Sequence, residues 1–505
     1  MRKNKPVLLA LVFVLILSMF TACAGGSNTP AANGGDSTPG ATTAAGGDAP
    51  AEELPPYELV WYILGPAQQR DNELVEQAVN AYLKDKINAT VKMTLLDWAS
   101  YDQKLKATIA SGEPFDICFT GAGQNDHIMN SRNGAFVPLN DYFDTYLSGT
   151  KEIVGDTFLR SAQIDGVNYG VPANKEKARA YGFVYNKTLA DEYDIDMSTV
   201  KSYSDIEDYL KIIQENVTDF APLFNDSVQN LPFIEWNSFA ASDKVGTINL
   251  EGKVINQFAS DEFMTAYKEM RDFYNKGYLR KDVATMKDGQ SLKSNGEFFT
   301  FPVTLKPGYA DEQNIVAKTK GHELAQIYVT DIWAIDGFGS LQCISRTSKN
   351  PDRAAMFLEL VNTDKELNNL INFGVEGTHY NFVGDNVIEQ ITDSGYMPNM
   401  QWMYGNQFLN YLNVHEAADK WAQFETFNTG AREHIALGFV FDETPVQNEV
   451  AACLSVAKEY NDVLKLGVVD PEATVPEFVA KLEAAGANKI IEEKQAQFDA
   501  WLAAK

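Results

Sequence analysis

Few residues of this 505-residue chain stand at spacings that make or break bonds. No HExxH, GxSxG or Walker sequence occurs. The five histidines are dispersed, without metal-ligand spacing. Asp194 and Asp196 alternate but lack the rest of a calcium loop. Gly337-Phe338-Gly339-Ser340 is not a nucleophile elbow. Gly121-x-Gly123 lacks the third glycine of a dinucleotide fingerprint and follows the wrong strand. What remains is chemistry that holds a molecule without changing it. Trp236 in FIEWNSFAAS, and Trp402 and Tyr404 in YMPNMQWMYGNQ, lie among Asn, Gln and Gly, an odd setting for a core aromatic. Gln68 in GPAQQRD and Gln124, Asn125 and Asp126 in TGAGQND end in planar polar groups. Aromatic faces stack, and planar amides and carboxylates make paired hydrogen bonds. Trp98 in LLDWASY follows a strand, where it can fix the start of the next helix, and GVEGTHY, with Glu376 and His379, reads as an ordered turn.

The elements that must position these residues are legible from periodicity. ELVWYIL (58–64) is a short apolar strand. DNELVEQAVNAYLKDK (71–86) puts Leu74, Val75, Ala78, Val79, Tyr82 and Leu83 on one helical face. ATVKMTLL (89–96) alternates strictly, ASYDQKLKATIASG (99–112) is a helix closed by Gly112, and FDICF (115–119) is another strand. The order β-α-β-α-β with short connections predicts a parallel sheet with right-handed crossovers. Ligands of such sheets lie beyond the carboxyl ends of the strands. The loops 65–71 and 120–126 occupy that place. Further on, LQCISRTSKNPDRAAMFLELV (341–361) predicts a strand, then a helix with Asn350 as N-cap and Pro351 at its first position. The last 140 or so residues are mainly helical: 449–467 is stopped by Gly467, and 475–502 breaks at Gly486 into two helices. No internal repeat is visible.

The N-terminus reads as an export signal. Arg2, Lys3 and Lys5 precede an apolar run from Pro6 to Phe20, which is short for a bilayer span. Thr21-Ala22-Cys23 follows, and then residues 24–53 carry no Lys or Arg and almost nothing apolar larger than Ala. Such a segment cannot bury enough surface to offset its ordering entropy. As a flexible coil it spans roughly 30 Å. Without the three basic residues of the signal, 39 basic residues face 69 acidic ones, a formal charge of −30. Nucleic acid and anionic membrane are poor partners for such a body. About 450 residues remain, too many for one core, which predicts two lobes. Cys118, Cys343 and Cys453 sit in apolar contexts and read as buried free thiols, with no zinc spacing.

Thr21-Ala22-Cys23 resembles the lipobox of bacterial lipoproteins, with Phe20 where Leu is usual. YGVPANKE leading into FVYNK, SRTSKNPDRAAMFLELV, INFGVEGTHYNF (371–382), LGFVFDETPVQNEVAACLSVAKEY (437–460) and AGANKIIEEKQAQFDAWL resemble the family-1, sugar-type extracellular solute-binding proteins of ABC importers. Within them they are similar to a lipoprotein subgroup with a C-terminal domain of unassigned function. The resemblance covers nearly all of the chain beyond the tether. It implies an α/β, two-lobe periplasmic-binding-protein-like fold of the type II, Venus-flytrap kind, with hinge strands and a helical C-terminal region. The expected division is a signal peptide at 1–22, a tether at 23–56, lobe 1 at 57–172 and 305–365, and lobe 2 at 177–302 and 366–505. The crossings then bring Asn174, Glu176 and Lys306 to the cleft floor, with Trp236, Trp402 and Tyr404 on lobe 2 opposite Gln68, Gln124 and Asp126.

The ligand implied is a carbohydrate, an oligosaccharide above all, whose hydroxyl edge and C–H faces suit that mixture of groups. The partners implied are ABC permease subunits, and the membrane through a lipid on Cys23 alone. No cofactor, metal or nucleic acid is expected, nor any catalytic residue. The chain is expected to be a monomer at the outer face of a Gram-positive cell membrane. Two other readings use the same residues: a peptide or other non-sugar solute, and a secreted glycosidase drawing on the many carboxylates.

Overall fold

The computed structural model describes residues 54–121, 123–225, 234, 243–286, 289–317 and 321–505. Cys23, the signal segment, the tether up to residue 53 and Trp236 lie outside these residues. Strand β1 (Tyr57–Leu64), helix α1 (Asn72–Ile87), strand β2 (Ala89–Leu96), helix α2 (Tyr101–Ser111) and strand β3 (Ile117–Thr120) follow the expected order. In β2 the alternation decides the faces: Val91, Met93 and Leu95 are buried, Lys92 is exposed and Thr90 and Thr94 are partly covered. In α1 Val75, Val79, Leu83 and Ile87 recur every fourth residue and are buried. Gly112 at φ +69° closes α2.

The sheet runs in the order β2, β1, β3, Leu341–Ile344, Val171–Pro172. β2, β1 and β3 are parallel, but Leu341–Ile344 is antiparallel to both of its neighbours. The three strands expected to be parallel are parallel, and Leu341–Ile344 adds an antiparallel strand beside β3, which makes the whole sheet mixed. The reason lies in the path: Trp333–Ala334 pairs with Ala178–Arg179 of a second sheet. The chain therefore returns from there and runs against β3. Asn350 caps the next helix, Pro351–Thr363, by accepting the Arg353 amide at 3.1 Å.

The second sheet is antiparallel. Thr300–Leu305 and Leu324–Tyr328 flank Ala178–Asn186. Val184, Val303, Leu305, Ala310 and Leu324 share one core. Leu324–Tyr328 and Trp333–Ala334 thus pair with Ala178–Asn186, where the expected division had placed them in lobe 1. A separate core joins β1, β2 and β3 to Val361, Leu367, Ile371, Tyr396, Met403 and Tyr404. Residues 367–371 and 396–404 therefore pack on the first sheet, where the resemblance had put them with lobe 2. The apolar side chains of that segment decide this, because they fill the space over Trp61 and Leu64.

The C-terminal helices Gln447–Lys465 and Pro471–Ala484 pack on Asp261–Lys276, and Ala487–Ala504 packs on both of them. Phe258, Phe263, Tyr267, Phe478 and Leu482 form their shared core. The Tyr267 hydroxyl donates to Asn461 Oδ1 at 2.7 Å. Gly467 and Gly486, both at positive φ, stand at the expected helix breaks. Cys118, Cys343 and Cys453 are buried and free, as expected.

Candidate functional site

Beyond the carboxyl ends of β1, β2 and β3 the chain builds an aromatic surface. Leu96 ends β2, and Asp97 makes the turn into α2 by accepting the Ser100 amide at 2.8 Å. That hydrogen bond holds the Asp97 carboxyl below its ordinary range. Asp97 therefore does the work expected of Trp98. The indole of Trp98 is 41% exposed and stacks on Trp402, with ring centroids 6.3 Å apart and planes at 22°. Trp402 stands edge-on to Phe119 at 6.0 Å, and its carbonyl accepts from Ser340 Oγ at 3.1 Å. The two rings make a half-open, rigid apolar platform at the place where an α/β sheet takes its ligand.

The loop carrying Trp402 is fixed from several sides. Gln69 holds both backbone groups of Met397: its Oε1 accepts the amide at 2.7 Å and its Nε2 donates to the carbonyl at 3.1 Å. Gln342 Nε2 donates to the Met403 carbonyl at 3.0 Å. Tyr404 is 2% exposed, packs against Trp61 and donates to the Leu64 carbonyl at 3.3 Å. Tyr404 is a core residue of the first sheet, which corrects its expected place on a ligand surface of lobe 2. Trp402 stands on the first sheet too, not opposite it.

Gln68 is exposed at the tip of the first loop, beside Ala67 in a left-handed conformation. Gln124 sits in a tight loop in which it exchanges backbone hydrogen bonds with Gly121. Its Oε1 is buried and has no hydrogen-bond partner among the described residues. Such an acceptor costs free energy until something donates to it. Asp126 caps helix α3 (His127–Arg132), accepting the Met129 amide at 3.1 Å. Asn125 is spent on the fold: its Nδ2 donates to the Phe119 carbonyl at 3.2 Å.

At the crossings the structure joins two expected residues and reassigns a third. Asn174 is buried, and its Nδ2 donates to Asn406 Oδ1 at 2.8 Å. It ties the first crossing to the Trp402 loop. Glu176 and Lys306 belong to one ionic cluster. Glu176 Oε1 accepts from Lys175 at 2.5 Å, while its Oε2 is buried without a partner. Burial alone would raise the Glu176 carboxyl, but the ammonium groups of Lys175 and Lys306 outweigh it and hold it low. Lys306 donates to Glu312 at 2.9 Å. Burial opposes its charge, yet Glu312 and Glu176 raise its pKa. Lys420 lies 3.8 Å from Glu312 and pairs with Glu416 at 2.5 Å.

Lys420 also covers the ring of Trp421 at 4.8 Å, and the Trp421 indole nitrogen is buried without an acceptor. Lys175, Glu312, Glu416, Lys420 and Trp421 were not foreseen. The i,i+4 spacing of Glu416 and Lys420 was a usable signal. The contacts that bring them to Lys306 were not visible in sequence. Glu376 and His379 form the expected turn, with His379 Nδ1 accepting the Val375 amide at 2.9 Å.

The chain as a whole matches known proteins. Residues 77–377, more than half of it, match the family model described as bacterial extracellular solute-binding protein. Residues 435–503 match a domain of unknown function, DUF3502. A carbohydrate ABC transporter substrate-binding protein of Streptococcus pneumoniae is 28% identical over 87% of this chain and 90% of its own length. Lipoprotein LipO of Bacillus subtilis is 22% identical over 63% of this chain and 66% of its own. The crystal structure of NgtS, an N-glycan transport solute-binding protein of S. pneumoniae, superposes with a TM-score of 0.80 at 26% identity, covering 89% of this chain and 99% of that one. NgtS has also been solved with Man1GlcNAc and with Man5GlcNAc. The two-lobe fold expected from the sequence is the fold of these proteins, and the chain belongs to the bacterial extracellular solute-binding proteins.

Proposed function

We propose that this chain captures an oligosaccharide between two lobes and delivers it to the permease of an ABC importer, itself unchanged by any catalysis. The observation that carries this reading is the stacked Trp98–Trp402 pair beyond the carboxyl ends of β2 and β3. Gln124 Oε1, in the loop after β3, adds an acceptor that has no partner among the described residues. Glu176 Oε2 and the Trp421 indole nitrogen add an acceptor and a donor near the crossings. Gln68 and Asp126 rim the first-sheet side, and Lys306 fixes the charge of Glu176. The first lobe comprises 57–172 with 341–371 and 396–404; the second holds 177–334 and most of the remainder. A hinge between them closes on the ligand because only the closed form touches it from both sides. Cys23 carries the lipid that anchors the chain at the outer face of the cell membrane, and the chain works as a monomer. The carbohydrate relatives and the named saccharide complexes of NgtS support the ligand class.

Titration calorimetry of the full chain with Man1GlcNAc, Man5GlcNAc and a panel of neutral oligosaccharides and peptides tests this. A saccharide is expected to bind, to be recovered uncleaved, and to bind at least tenfold more weakly, about 1.4 kcal/mol, to Trp98→Ala. Binding of a peptide and of no saccharide would overturn the carbohydrate reading. Recovery of shortened saccharide would overturn the non-catalytic one.

A further inference from the structure

A second cavity, of about 860 Å³, lies away from the tryptophan pair. One wall is helix Asp156–Ser161, the hairpin of Gln163–Ile164 and Val167–Asn168, and the end of α3 at Arg132. The other wall is the segment 433–442 and the last turns of the C-terminal helix. Its volume falls within the range of small-molecule sites. Six charges line it: Arg132, Arg160, Lys505, Asp165, Glu433 and Asp442. They sum to zero, and Arg132 pairs with Asp442 at 3.1 Å across the two walls. A lining of this kind has no net attraction for an ion but many donors and acceptors.

Its apolar element is Trp501. This ring is half-buried, with one side supported by the fully buried Phe498 at 5.8 Å and 23°, and the ammonium of the terminal Lys505 lies over it at 4.8 Å, where a ligand would displace it. Phe439 backs it at 5.8 Å. Arg160 also lines the groove; it is exposed and donates to Thr157 Oγ1 at 3.2 Å, with further guanidinium donors beyond that bond. A supported aromatic ring and a planar donor fork, in a lining without net charge, suit a neutral polyhydroxylated chain. The position agrees. Arg132 ends the six-residue helix α3 that begins right after Asp126, so the groove starts about 9 Å along that helix from the first-sheet loop.

We infer that this groove is a second carbohydrate subsite, which holds the outer residues of a long or branched saccharide whose inner residues occupy the Trp98–Trp402 platform. The inference rests on the carbohydrate reading above. One wall belongs to the first sheet's unit of packing and the other to the domain of unknown function. That domain thus acquires a role: it supplies the far wall of an extended site.

Fluorine NMR of the full chain labelled with 5-fluorotryptophan tests it, with Man1GlcNAc as short probe and Man5GlcNAc as long probe. Man1GlcNAc is expected to move the Trp98 and Trp402 resonances and leave Trp501 in place. Man5GlcNAc is expected to move all three. Arg160→Ala should abolish the Trp501 shift and weaken Man5GlcNAc at least tenfold, with Man1GlcNAc affinity within twofold of the parent. Man5GlcNAc shifts at Trp98 and Trp402 without one at Trp501 overturn the groove and leave the platform standing. A Trp501 shift that persists in Arg160→Ala with unchanged affinity marks it as an echo of closure and overturns the groove as well. Absence of any shift with either probe overturns both.

Discussion

Trp402 and Tyr404 stand two residues apart in one loop and do opposite work. Trp402 presents a face beside Trp98; Tyr404 fills the core over Trp61. Two substitutions separate them. Tyr404→Phe removes a single buried hydrogen bond to Leu64 and is expected to cost ~1 kcal/mol of stability with affinity unchanged. Trp402→Ala removes both the stacking partner of Trp98 and the edge contact on Phe119. It is expected to cost ~2 kcal/mol of stability, less than a fully buried Trp, together with a tenfold or greater loss of affinity. Chemical denaturation and titration on the same proteins check this, and a Tyr404→Phe protein with weakened binding would contradict the assignment. In sequence the two aromatics look alike, since both sit among Asn, Gln and Gly. What tells them apart is Leu64, 340 positions away along the chain. Trp98 was read as fixing the start of the next helix, and only the hydrogen bond of its neighbour Asp97 to the Ser100 amide shows that the turn is already held without it.

At the scale of elements, the loop after β3 is held by geometry that only glycine allows. Gly121 has φ +126°, and a Cβ there would lie 2.6 Å from the Gly339 carbonyl oxygen. Gly121→Ala is therefore expected to lower stability by ~2–3 kcal/mol and to weaken saccharide binding, because Gln124 is bonded to Gly121 through the backbone. Thermal melting and titration give the answer; a variant equal to the parent in both would mean that the loop yields freely. The strand and helix order around this loop was legible from alternation and from the capping residues, Asn350 among them. The mixed sheet was not, because local pattern carries no sign of the direction from which Leu341–Ile344 enters. The crossing residues Glu176 and Lys306 were legible through resemblance. Their partners Glu312 and Lys420 come from other elements, and nothing in their own neighbourhoods announces the meeting.

For the whole molecule, two of the three buried histidines among the described residues bear most on acid stability. His127, on α3 beside Phe136 and Phe338, and His434, against Trp333, are each pushed down to about 4 by burial. The unfolded chain binds protons at both near pH 6.5, so stability is complete above that value and is lost as pH falls toward 4. His127, the more deeply enclosed of the two, contributes the larger share of the loss. Melting temperatures between pH 7 and 4 are expected to fall, and the His127→Gln, His434→Gln double variant to show a shallower fall. An equal slope in both proteins would place the acid sensitivity among the carboxylates instead.

The cluster at the crossings has a bearing on where such a collector can operate. Three lysines, Lys175, Lys306 and Lys420, meet three glutamates, Glu176, Glu312 and Glu416, all of them largely screened from solvent by neighbouring chain. The charges answer one another, and mobile ions have little left to neutralise. A neutral ligand arriving there displaces no counterions, so its capture is indifferent to whether the surrounding fluid is dilute or briny. An acidic saccharide would bring a charge for which no lysine is vacant. On the proposed reading, the arrangement that steadies the floor of the cleft disfavours acidic cargo and makes the capture of a neutral one insensitive to salinity.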